Sequence, residues 1–221
     1  MGHEEERPVE PFSDLHVEGS HVRATLLHDP TVEGLDMALY LDGSGSMEDE
    51  YAYVARRRGF WEWLTGKPKP EAENQVDGAV RWMLEYLATK DRNGQLRFAY
   101  WATGSQGDKV EVIGELGGKD VAKYSFPGPK VGGGQTRLAP AIRDYLAYLK
   151  AQEKKGAKRG CAVIITDGHL HDTDEVKALS EQITADMKSG KMLPVSFVLV
   201  GVGEGINEEQ LEEISHHEIE G

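Results

Sequence analysis

A single cysteine, Cys161, occurs in the 221 residues. It cannot form an internal disulfide, and its place in an apolar strand-like run points to a buried thiol in a reducing compartment. No run of 18 or more apolar residues is present, so no transmembrane helix is expected. The opening residues, Met1 to Arg7, are acidic and lack an apolar core segment; no signal peptide is expected, and the cytoplasm is the expected location. Basic residues are outnumbered by acidic ones. Lys and Arg number 25 against 38 Asp and Glu, a net charge of −13, which argues against partners held by phosphate contacts, such as nucleic acid or an anionic membrane. Internal repeats and low-complexity tracts are also missing, leaving a chain long enough for one sizeable core.

The informative residues lie where apolar runs stop. Residues 38–47 read Ala-Leu-Tyr-Leu-Asp-Gly-Ser-Gly-Ser-Met, a buried-strand pattern that ends at Asp42 and passes into a tight loop carrying Ser44 and Ser46. Residues 131–137, Val-Gly-Gly-Gly-Gln-Thr-Arg, present Thr136 beside three glycines. A second buried-strand pattern, residues 161–166, ends at Asp167 and Gly168. Two carboxylates and three hydroxyls form an oxygen-only ligand set of low charge, which suits Mg²⁺. Hydroxyl ligands leave most of the cation's charge available to an incoming acid.

Alternating strand and helix patterns predict an α/β domain of the Rossmann-like kind: an open, mostly parallel sheet with one antiparallel edge strand and helices on both faces. Strands are expected at about 35–42, 95–103, 109–113, 161–166 and 194–201, and helices at 75–90, 138–152, 173–188 and 207–215. Residues 1–33 read as an amino-terminal extension, in which 21–27 has strand character, and the domain spans 34–221. A stretch at about 51–73, rich in Tyr, Trp, Arg and Pro, reads as an insertion beside the Ser44 loop.

The ordered set Asp42-x-Ser44-x-Ser46, then Thr136 after glycines, then Asp167 in Thr-Asp-Gly, resembles the metal-ion-dependent adhesion site of von Willebrand factor A domains, over roughly residues 34–215. The segments 165–168 and 172–175 are similar to the intracellular, copine-like and bacterial tellurium-resistance-type branch. The resemblance implies that Ser44, Ser46 and Thr136 ligate the metal, with Asp42 and Asp167 binding directly or through water. The metal would be Mg²⁺, with Mn²⁺ or Ca²⁺ as alternatives, and a partner's Asp or Glu would complete its shell. It further implies a non-enzymatic protein-binding module, in a bacterial stress-response or ATPase-associated complex.

Other readings compete. A metal-dependent, phosphatase-like hydrolase could use Asp42 as nucleophile, although Ser stands at position 44 where such chemistry favours a second carboxylate. A degenerate domain could serve only as a scaffold. His169 and His171 read as solvated loop histidines, since no third ligand stands near them. Asp172, Asp174 and Glu175 read as the acids that favour a helix start. Gly201, Gly203 and Gly205 lack dinucleotide-loop spacing.

Overall fold

The computed structural model describes residues 12–18, 21–26, 33–48, 75–167, 169–202, 209, 210 and 214. The expected insertion at 51–73 and most of the expected helix at 207–215 lie outside them; Glu209, Gln210 and Ile214 are helical. The chain divides into two compact units, Met1–Val32 and Glu33–Gly221. In the first, β1 (Phe12–Glu18) pairs antiparallel with β2 (His21–Leu26), with a register shift between Ser13 and His16. The expected strand at 21–27 is thus one arm of a hairpin, and the other arm, β1, was not expected.

The second unit holds β3 (Leu35–Asp42), α1 (Gln75–Ala88), β4 (Leu96–Thr103), β5 (Lys109–Leu116), the single turn α2 (Gly118–Val121), α3 (Ala139–Glu153), β6 (Arg159–Thr166), α4 (Thr173–Lys188) and β7 (Val195–Gly201). The sheet order is β5-β4-β3-β6-β7, parallel except for β4–β5. This is the mixed α/β sheet expected from the sequence. The chain starts in the middle, adds β4 and β5 on one side, then crosses back to add β6 and β7 on the other. Strand order therefore reverses between β3 and β6, and their carboxyl ends frame the crevice in which such sheets place ligands.

Two apolar layers clamp the sheet, each fed by alternate residues of the central strands. Met37, Leu39 and Leu41 of β3 pack with Phe98 and Tyr100 of β4 and with Val80, Leu84 and Ala88 of α1. Ala38 and Tyr40 pack with Trp101, with Ile142, Tyr145 and Leu149 of α3, and with Val176 and Ile183 of α4. Buried at both faces, β3 reads as a continuous apolar run, as a central parallel strand must. Cys161 is half-buried on β6, less than expected, and burial pushes its thiol pKa up, which keeps it protonated. Among the described residues no helix is long and apolar enough to cross a membrane.

One polar cluster ties the sheet to α3. Tyr40 Oη donates to Asp144 Oδ2 at 2.6 Å, and Arg97 holds the same carboxylate through Nε at 3.0 Å and Nη2 at 2.9 Å. The Arg97 guanidinium also lies over the Tyr148 ring, 4.9 Å from its centroid. Without Asp144, a largely buried cation and a buried hydroxyl lose their shared acceptor. Asp144→Ala is expected to cost about 2–4 kcal/mol, read from the urea midpoint, and Asp144→Asn, which keeps an acceptor, less than half of that.

Candidate metal site

Asp42 is the last residue of β3 and is fully buried. Its Oδ1 accepts the Ser44 backbone N–H at 2.8 Å and its Oδ2 accepts the Thr166 hydroxyl at 2.7 Å. Register explains the second contact: Leu41 stands opposite Ile165, so Asp42 is level with Thr166, while Trp101 is its neighbour on the other side. The Trp101 indole N–H donates to the Ile165 carbonyl at 3.0 Å. Because β3 lies between β4 and β6, that ring reaches across β3 at the level of Asp42 and helps to exclude water there. Burial pushes the Asp42 pKa up to about 6; hydrogen bonds from Ser44 and Thr166 oppose the shift, and the nearby Asp167 carboxylate adds to it.

The glycine loop is fastened to the β3 exit by backbone alone. Gly45 N–H donates to Gly133 O at 2.8 Å and Gly133 N–H to Gly43 O at 3.0 Å, a short parallel bridge pairing Ser44 with Gly133. Gly133 has no room for a side chain, since a Cβ would lie 1.8 Å from the Ala102 carbonyl oxygen. Gly107, in the β4–β5 turn, meets the same loop as closely: its Cβ would lie 1.6 Å from Gln135 O. The loop from Val131 to Gln135 is thus held between the β3 exit and the β4–β5 turn. Ala102, against Gly133, takes a left-handed φ of 52°, an unfavourable conformation that its packing imposes.

Thr136 is buried and is fixed from the β6 side. Its N–H donates to His171 Nδ1 at 3.1 Å, and His171 N–H donates to Thr136 O at 2.9 Å. Asp172 then takes the next free amides, with Oδ1 accepting Leu138 N–H at 2.8 Å and Oδ2 accepting Ala139 N–H at 2.9 Å. Gln210 holds the same exit, accepting Leu170 N–H at 2.7 Å and donating to Leu170 O at 2.8 Å.

Asp42, Ser44, Thr136 and Asp167 therefore lie in three loops fastened together at one end of the sheet. Asp42 interacts with both Ser44 and Asp167, whereas Thr136 is joined to them through Gly133 and His171. Ser46 lies in the 3₁₀ turn Gly45–Glu48, and its side chain is outside the described residues. Two expectations need correction. His171 is exposed but is not a merely solvated loop residue, because it holds Thr136 by two hydrogen bonds. Asp172 precedes α4 yet makes no side-chain cap there; its carboxylate caps α3. Asp174 and Glu175 do sit in the first turn of α4, where acids meet the positive end of the helix dipole.

The donor chemistry fits a hard divalent cation. Among the described residues, no three His, Cys, Asp or Glu side chains cluster for metal binding. Beside the two carboxylates, a cation here would meet hydroxyl oxygens, hard donors of the kind that hard divalent cations take. Asp42 is buried among neutral amide and hydroxyl donors, with a second carboxylate nearby. An adjacent cation would relieve the cost of charging it.

No protein-family model matches the chain, and no curated protein matches it. Among solved structures, the chain is similar to the SpRpn10 VWA domain, with 11% identity over 83% of this chain and 80% of that one and a TM-score of 0.49. It is also similar to manganese-loaded Plasmodium vivax TRAP protein, with 18% identity, 84% and 64% coverage and a TM-score of 0.48. Proximal thread matrix protein 1 from the mussel byssus shows 16% identity, 83% and 39% coverage and a TM-score of 0.42.

Two measurements probe this arrangement. An unfolded Asp titrates near 3.8, whereas the folded Asp42 holds its proton to about 6. In metal-free protein its contribution to stability is therefore complete below the lower value and is lost as pH rises through the higher one. Across that window the wild type should lose roughly 3 kcal/mol relative to Asp42→Asn, measured by urea unfolding in EDTA. Asp172→Ala strips two buried amides of their acceptor and should cost about 2 kcal/mol by the same assay, with partial recovery in Asp172→Asn.

Proposed function

We infer that this chain is a divalent-cation-dependent protein-binding module that captures an acidic residue of a partner. The observation that carries the reading is the buried Asp42 carboxylate, held by neutral donors at the switch point of the sheet, with Ser44, Asp167 and the Thr136 loop gathered beside it. Ser44, Ser46 and Thr136 would hold Mg²⁺ through hydroxyl oxygens, and Asp42 and Asp167 would hold it directly or through water. When bound, the cation supplies an electrophilic position that a partner's Asp or Glu can fill. Asp42 orients the Ser44 loop through the Ser44 N–H, Thr166 orients Asp42, and the His171 pair of hydrogen bonds fixes the height of Thr136.

A non-enzymatic role is favoured over a hydrolase with Asp42 as nucleophile. Both Asp42 oxygens accept hydrogen bonds, and the group is fully buried, so an in-line attack on a phosphoryl group would first require the site to be dismantled. The finer placement, in a cytoplasmic, copine-like or tellurium-resistance-type branch acting in a stress-response or ATPase-associated assembly, is part of the proposal. It rests on the segments 165–168 and 172–175 and on the single cysteine, Cys161.

Mn²⁺ titrated into the metal-free protein should occupy one site by electron paramagnetic resonance and be displaced by Mg²⁺. Asp42→Ala should weaken Mn²⁺ binding at least tenfold, about 1.4 kcal/mol or more, and p-nitrophenyl phosphate should not be turned over with either metal. Unchanged Mn²⁺ affinity in Asp42→Ala would sink the reading, and turnover that disappears in Asp42→Asn would favour the hydrolase.

A further inference from the structure

A cation stands directly beside the predicted ligand Thr136. Arg137 reaches Glu175, in the first turn of α4, with Nη2 at 3.2 Å from Oε2, while Arg143, on α3, holds the other oxygen of the same carboxylate at 2.6 Å. Two guanidiniums thus share one acid, and the trio carries a net positive charge in a chain whose total is −13. The two contacts are unequal. Arg143 makes the shorter bond and is the larger cause of the lowered Glu175 pKa, with Arg137 the smaller.

The backbone around Arg137 is fixed on both sides, by His171 at Thr136 and by Asp172 at Leu138 and Ala139. Its side chain is more than one-third exposed. Ion pairs of that exposure contribute between zero and about 1 kcal/mol. Arg137 can therefore leave Glu175 at little cost, because Arg143 still satisfies the carboxylate. The result is a releasable guanidinium on a rigid base, one residue from the predicted ligand.

We propose that Arg137 is a second anchor for the acidic partner, gripping another carboxylate of the same segment whose first carboxylate completes the metal's shell. This rests on the metal-site reading above and names the partner more closely: an extended stretch with acids at alternate positions. Residues two apart in an extended chain are about 7 Å apart and face the same way, so two such acids can address the metal loop and its sequence neighbour Arg137 from one strand. Bidentate geometry makes a guanidinium the better match for that second acid than an ammonium. The arrangement also offsets, locally, the repulsion between this acidic chain and an acidic ligand.

The test compares two labelled pentapeptides, Gly-Glu-Gly-Glu-Gly and Gly-Glu-Gly-Gln-Gly, with blocked ends, titrated by fluorescence anisotropy in Mg²⁺ and in EDTA. In Mg²⁺ the wild type should bind the two-acid peptide about five- to tenfold more tightly. Arg137→Gln should abolish that preference while still binding the one-acid peptide in a Mg²⁺-dependent way. Glu175→Gln, which frees Arg137, should enlarge the preference, and Arg137→Gln combined with Glu175→Gln should remove that gain. Equal affinity for the two peptides in wild type, or a preference that survives Arg137→Gln, overturns the second anchor alone. Binding of both peptides that ignores EDTA overturns this inference together with the metal site.

Discussion

A carboxylate buried at the end of the central strand governs the rest of this structure. Asp42 is buried, accepts hydrogen bonds from the neutral donors of Ser44 and Thr166, and stands near the second carboxylate of Asp167. Burying a charge under those conditions is costly, and the cost appears as a pKa pushed up to about 6. Ordinary core chemistry would replace such a residue by an apolar one. Its presence makes sense where a second, positive group joins it, and the place it occupies, between β3 and β6 at the reversal of strand order, is where sheets of this kind admit ligands.

The same constraint accounts for the loop architecture. The proposed cation site would need its oxygens fixed to within a fraction of an ångström, yet Thr136 follows a glycine-rich loop with little intrinsic order. Order is supplied from outside. Gly133 is stitched by two amides to Gly43 and Gly45, and Thr136 by two hydrogen bonds to His171. Asp172 and Gln210 lock the segments behind them. Each bond contributes only about 1 kcal/mol, but together they leave the loop few other conformations. The left-handed Ala102 lies where the β4–β5 register shifts between Tyr100 and Thr103, and its carbonyl is the atom against which Gly133 packs.

Much of the fold was legible because it depends on periodicity. The central strands are apolar throughout and helices carry apolar residues three and four apart, so the sheet, its antiparallel β4–β5 pair and the helices around it follow from pattern. The candidates Asp42, Ser44, Ser46, Thr136 and Asp167 were named because strand ends and glycine clusters mark them, and the structure fastens the segments that carry Asp42, Ser44 and Thr136 to one another. What could not be read depends on register and tertiary neighbours. Thr166 looks like any strand threonine until the β3–β6 register sets it level with Asp42. Asp172 looks like a cap for its own helix, and only the packing of α3 beside α4 turns it to Leu138 and Ala139. His171, Gln210 and the Arg137–Glu175–Arg143 trio join segments 32 to 40 residues apart, beyond any local signal. The β1 strand was missed because its alternation is broken by the shift between Ser13 and His16.

The surplus of acid over base in the whole chain then acquires a different meaning near the site. At physiological salt, fields are screened over about 8 Å, so a ligand touching the Thr136 loop senses local groups and not the total of −13. Those local groups are the two arginines that share Glu175, the Asp172 carboxylate held by the Leu138 and Ala139 amides, and the cation that Asp42 and Asp167 would hold. Under the proposed function, an acidic molecule that cannot engage the cation and Arg137 together would gain too few contacts to offset the repulsion that remains at close range. Under the same proposal, the metal loop and Arg137 would supply the attraction that an acidic ligand needs at this surface.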